Sequence, residues 1–219
     1  MYHGKRMEVH MKMLNGIEIY EELKEMADPA HSCLVVWDVQ NGLVDRIYNK
    51  EEFMENTARL LAGLRGKMPV VYTLITPPPR QFTSGWGYFT MMRRYGIKDP
   101  EKLPAFMAPG TPEREVPERV KPAVGDLVLE KPAASIFIGT NFENLLRARG
   151  IKTVIFSGIA TEIGVESSVR DASNRGFYPV VVLDCVSSMD KAAHERSLEN
   201  MKKLAVVEGS AAVLEAVKG

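Results

Sequence analysis

Three points in the chain place something other than an apolar side chain at the end of an apolar run. Asp38 follows Cys33-Leu34-Val35-Val36-Trp37, Lys131 follows the run at 126–129, and a turn from Gly158 to Gly164 follows Val154, Ile155 and Phe156. Short apolar runs without polar alternation fit strands buried on both faces, as in a parallel sheet. Parallel strands end on one edge, so a carboxylate, an amine and a turn of bare backbone would meet there. A carboxylate and an ammonium held in a partly dry pocket tune each other's proton affinity and can relay a proton. The same two residues also read as a structural ion pair at a sheet edge.

The elements that must position these groups follow from pattern. Thr161 has the residue type and place to cap a helix over 162–174, with Gly176 just past its end. A strand feeding a helix through a tight turn puts helix N-terminal amides at the carboxyl edge of the sheet, where open α/β folds bind ligands. Further strands are expected over 69–75, 179–183 and 205–207. Helices are expected over 51–65, with Phe53, Ala58, Leu61 and Leu64 inward, and over 88–95, 190–204 and 210–217. Another opens at Thr140-Asn141-Phe142-Glu143, which has capping-box spacing and sets Phe142, Leu145 and Leu146 on one face. Strand and helix alternate, which with right-handed crossovers gives a parallel sheet covered by helices on both faces. Residues 1–30 read as an N-terminal extension in which Ile17, Tyr20, Leu23 and Met26 recur at helical spacing. Residues 31–219 read as the domain.

Three separated stretches, VVWDVQN (35–41), EKPAASIFIGTNF (130–142) and SGIATEIGVESSVRDA (157–172), resemble in order the isochorismatase-like, or cysteine hydrolase, superfamily. The resemblance implies a three-layer αβα sandwich with a six-stranded parallel sheet, a homo-oligomer (dimer or tetramer), and Asp38 and Lys131 as catalytic residues. It also implies a cis peptide at Ile159–Ala160 that aims backbone amides at a developing oxyanion. Amidase members carry a nucleophilic cysteine where this chain has Gly164. Isochorismatases also have glycine there. They cleave a vinyl ether, an acidic carboxyl protonating the enol carbon before water adds. Asp38 matches that acid, and Lys131 would orient a substrate carboxylate or the attacking water. The stretch EIGVE nevertheless sits closer to the amidase motif, so a C–N hydrolase variant lacking its thiol stays open. So do a non-catalytic ligand-binding member and a glycine put in place of cysteine to trap substrate. Ser167 and Ser168 lie too far into the helix to replace the thiol.

Around that centre, Gln40, Ala160 and Thr161 are expected to bind substrate. The connection 76–122 is long enough to be a lid. Within it Arg80 would hold a carboxylate and Phe82 and Trp86 a ring, or the aromatics would form a contact between copies. Glu162 would face the pocket or simply favour the helix N-terminus. The Asp-x-His pair of metal-binding members is replaced here by TLITPPPRQF (73–82), and His3, His10, His31 and His194 are scattered. No metal or cofactor is expected. The charges balance at 28 basic and 28 acidic residues. That leaves no electrostatic case for nucleic acid or an anionic membrane surface, and the expected partner is a small molecule. Cys33 and Cys185 read as buried free thiols of a cytoplasmic protein, with Cys185 near enough to a strand end to line the pocket's edge.

Overall fold

The computed structural model describes residues 12–218, so His3 and His10 lie outside the described residues. The chain begins with a two-stranded antiparallel hairpin, β1 (Lys12–Leu14) and β2 (Ile17–Ile19). The helix α1 that follows is confined to Leu23–Met26. The helix expected through Ile17 is therefore corrected. Asn15 and Gly16 both take positive φ, 52° and 78°, the Asn-Gly geometry of a tight hairpin turn. Tyr20 and Met26 still pack into the main core, so this segment is part of the domain's packing.

Six parallel strands form the centre: β3 (Ser32–Trp37), β4 (Val70–Ile75), β5 (Leu127–Lys131), β6 (Thr153–Ile159), β7 (Tyr178–Ser187) and β8 (Val206–Glu208), in the order β5-β4-β3-β6-β7-β8. Between them lie α2 (Asn41–Val44), α3 (Lys50–Leu64), α4 (Gly85–Tyr95), α5 (Phe142–Ala148), α6 (Glu166–Asn174) and α7 (Lys191–Met201), and α8 (Ser210–Ala216) follows β8. Strand alternation divides the core into two layers. Leu34, Val36, Tyr72 and Ile155 pack with α3 and α8, while Cys33, Val35, Trp37 and Phe156 pack with α5, α6 and α7. That parity sends the Trp37 ring toward α6. This is the αβα sandwich expected from the alternation of elements.

Three local expectations change. Strand β6 does not break at Ser157 and Gly158 but runs to Ile159. Gly158 serves close approach, not a turn: at φ +122° a Cβ there would lie 2.0 Å from the Trp37 carbonyl oxygen. Thr161 does not cap a helix. The helical turn Thr161–Val165 is a π turn that precedes α6, and the Thr161 hydroxyl bonds the Ser187 carbonyl and His194 Nδ1. At α5 Thr140 and Glu143 form no capping box. Asn141 precedes the first turn and the Thr140 hydroxyl accepts the Phe142 amide at 3.2 Å. Among the described residues no helix is long and apolar enough to cross a membrane.

Candidate active site

Asp38 stands at the carboxyl end of the central strand β3, Lys131 closes β5, and β4 lies between them. Both side chains are fully buried, and Lys131 Nζ donates to Asp38 Oδ2 at 2.8 Å. Thr73 on β4 completes the cluster. Its hydroxyl accepts the Asp38 amide at 3.0 Å and donates to Asp38 Oδ1 at 2.6 Å. Asp38 takes a positive φ of 47°, a conformation that Asp and Asn tolerate better than most residues. Burial raises the Asp38 carboxyl above the ordinary carboxylate range, with Lys131 and then Thr73 partly offsetting it. Burial likewise lowers the Lys131 amine, with Asp38 pulling the other way. Both shifts favour neutral forms, as desolvation demands, and bring the two groups toward sharing one proton.

Lys131 Nζ donates to Asp38 and to the Ala133 carbonyl, the latter at 3.0 Å, and faces the ring of Trp37, whose centroid lies 3.5 Å away. The amine is thus held by the protein's own groups. The edge of the same indole lies on Gly164. A Cβ at position 164 would fall 1.7 Å from Trp37 Cη2. Any side chain at position 164 would overlap the ring where it now lies. Ser168 holds the ring in plane, accepting Trp37 Nε1–H at 3.1 Å and donating to the Gly164 carbonyl at 2.8 Å.

A cavity of about 410 Å³ opens over this floor. Asp38, Lys131 and Ala160 line it, as does Glu162, whose carboxylate accepts from Ser188 at 2.8 Å. Arg46, just after α2, and Arg94, in the last turn of α4, stand exposed at its mouth, and Phe106 adds an apolar wall. Among the described residues no carboxylate pairs with either arginine. The Ile159–Ala160 peptide is cis. The amides of Ile163, Gly164 and Val165 all return to the Ala160 carbonyl, at 3.2, 3.0 and 3.2 Å. These three amides are spent within the turn and do not face a ligand as an oxyanion hole would require.

Several expected binding residues lie elsewhere. Gln40 is buried outside the cavity, its side chain accepting the Ile75 amide and donating to the Arg114 carbonyl, so it ties the long connection to β4. Thr161 is occupied beneath the turn. Gly164 is covered by Trp37. Arg80 donates to the Leu103 carbonyl at 2.7 Å and stays away from the cavity. Phe82 and Trp86, 74% and 70% exposed, lie at the far end of α4. Ser84 caps α4 at that end, so the last turn reaches the site, not the first. Cys185 is a free thiol in the α3-side core and not at the pocket edge. Thr73, Arg46, Arg94 and Phe106 escaped the sequence reading. Only Thr73 carried a signal, a hydroxyl inside the apolar run VVYTLI. Among the described residues no group of three or more His, Cys, Asp or Glu side chains is placed to hold a metal ion.

Residues 32–212 match the isochorismatase domain model. The ureidoacrylate amidohydrolase RutB of Variovorax paradoxus is 36% identical over 182 residues, 76% of this chain and 72% of that protein. The protein of the same name from Methylobacterium radiotolerans is 29% identical over 193 residues, covering 80% and 74%. The proteins of the same name from two strains of Methylorubrum extorquens are matched over less than half of their own length, 44% and 42%. An isochorismatase family protein from Burkholderia thailandensis superposes with a TM-score of 0.70 at 28% identity, covering 87% of this chain and 97% of that one. With its αβα layers, its parallel sheet and a matched span that takes in nearly the whole domain, the chain belongs to the isochorismatase family of hydrolases.

Proposed function

We propose that this chain hydrolyses a small carboxylated substrate without a side-chain nucleophile, using Asp38 as its acid–base group. The observation that carries this is the buried Asp38–Lys131–Thr73 cluster on the cavity floor, next to a glycine with no room for a thiol. The bond cleaved is a vinyl ether. Asp38 gives its proton to the enol methylene carbon, and the ether oxygen and adjacent carbon share the resulting positive charge. Water adds to that carbon and returns a proton to the Asp38 carboxylate. The hemiketal then collapses to a ketone and an alcohol. This route builds no tetrahedral oxyanion, which suits a turn whose amides bond Ala160. A raised proton affinity keeps Asp38 competent as an acid. Arg46 and Arg94 hold the substrate carboxylate at the mouth. Phe82 and Trp86, exposed in the single chain, belong to a contact between copies in a dimer or tetramer.

A second reading draws on the amidohydrolase names of the relatives. In it Asp38 is a base that activates water against an amide or ureide carbon. The experiment is a turnover screen of enolpyruvyl ethers and ureido acids, with Asp38→Asn and a pH profile of kcat/KM. Asn accepts the positive φ of position 38, and because it removes the carboxylate partner of buried Lys131, a urea denaturation curve of the variant is measured beside its turnover. The acid reading expects the rate to fall as pH rises through the Asp38 pKa, and the base reading expects it to rise. Full turnover in Asp38→Asn sinks both.

A further inference from the structure

The geometry points to Trp37 as the positioning and specificity-determining residue of this site. Its ring face seats the Lys131 amine beside Asp38 while its edge fills the space over Gly164, so residues 37 and 164 work as a matched pair. The role assigned here to Asp38 and Lys131 rests on the proposed function; the pairing itself rests on packing.

Trp37 ends β3, and strand parity turns it toward α6. There the ring is only 3% exposed and is anchored through Nε1 to Ser168. Ser168 is in turn fixed to the Gly164 carbonyl and to the Ile136 amide. A Cβ at position 164 would lie 1.7 Å from Cη2 and 2.1 Å from both Cζ2 and Cζ3, within the ring's own volume. The indole cannot step aside without losing the Ser168 bond and uncovering Lys131 Nζ, 3.5 Å from its centroid. An ammonium on an aromatic face in a dry site gains stabilisation that an aliphatic side chain cannot supply. Any side chain at 164 therefore acts on Lys131 through Trp37, and a nucleophile would be admitted at 164 only with a smaller residue at 37.

The test is a double-mutant cycle on the full chain with Trp37→Leu and Gly164→Ala, and Trp37→Phe as the conservative variant. Urea denaturation gives stability, and the titration of Lys131 is followed by NMR of isotope-labelled lysine side chains, assigned with Lys131→Met. Gly164→Ala alone is expected to lower the folding equilibrium constant about 10- to 100-fold, the usual range for overpacking. In the Trp37→Leu background the same alanine is expected to cost less than about 3-fold. Should Gly164→Ala fail to fold, recovery of folding in the double variant carries the same result. Trp37→Leu is expected to shift the Lys131 midpoint downward, while Trp37→Phe, which keeps an aromatic face, restores most of it. Equal alanine costs in both backgrounds overturn the pairing, and an unmoved Lys131 midpoint in Trp37→Leu overturns the positioning role. Neither readout uses turnover, so loss of the proposed reaction would leave both interpretable.

Discussion

Replacing Thr73 by valine tests the acid–base cluster where it is least visible from sequence. The side chain is fully buried, and its hydroxyl makes two bonds to one residue, accepting the Asp38 amide at 3.0 Å and donating to Oδ1 at 2.6 Å. Valine nearly matches the shape and removes both. It leaves a buried N–H and a buried carboxyl oxygen short of partners, at about 1–3 kcal/mol each. The expected loss is roughly 2–6 kcal/mol, or about 4–24 °C in Tm at 2–4 °C per kcal/mol for a chain of this size. Thr73→Ser, which keeps the hydroxyl and gives up a methyl, is expected to lose about 1 kcal/mol. Urea denaturation followed by circular dichroism measures all three proteins. The Thr73 bond also lowers the Asp38 pKa, so valine should move the limb governed by Asp38 to higher pH in any activity profile. A Thr73→Val protein within about 0.5 kcal/mol of the parent would mean that the two bonds are not stabilising Asp38, and the account of the cluster would fail.

Two further outcomes follow from the site. Arg46→Met and Arg94→Met should each raise KM for a carboxylated substrate about 10-fold with kcat nearly unchanged, the signature of lost uniform binding. Phe82→Ser, outside the cavity, should leave KM alone, and a steady-state comparison separates the two. His194 is held below its ordinary 6.5 by burial, against opposing pulls from Glu162 and Glu195 and with Lys191 adding to the lowering. Between its folded pKa and 6.5 the unfolded chain binds the extra proton, so stability rises with pH in that window and is lost on acidification through it. His194→Gln should flatten that part of the stability–pH curve measured by urea denaturation, and an unchanged slope would refute the assignment.

Local pattern was enough for the architecture and for placing Asp38, Lys131 and Ala160 at the cavity, with Glu162 left between the pocket and the helix N-terminus. Unalternating apolar runs announce strands buried on both faces, and their polar terminators, Asp38 and Lys131, must fall on the shared edge of a parallel sheet whatever the loops do. The breaks were less legible. Gly158 reads as a strand end, yet it lies within β6 because the backbone at Trp37 leaves no space for a Cβ. Thr161 has the type of a cap and bonds His194 and Ser187 instead, partners 33 and 26 residues away. Arg80, Phe82 and Trp86 have the chemistry for a substrate, but α4 carries Arg94 to the cavity in their place. Tertiary packing alone decided that Thr73 faces Asp38 and that Trp37 lies over Gly164 and under Lys131. Periodicity records which face of an element a side chain takes. It holds nothing about what stands opposite, and the chemistry of this site depends on contacts between β3, β4, β5 and the turn before α6.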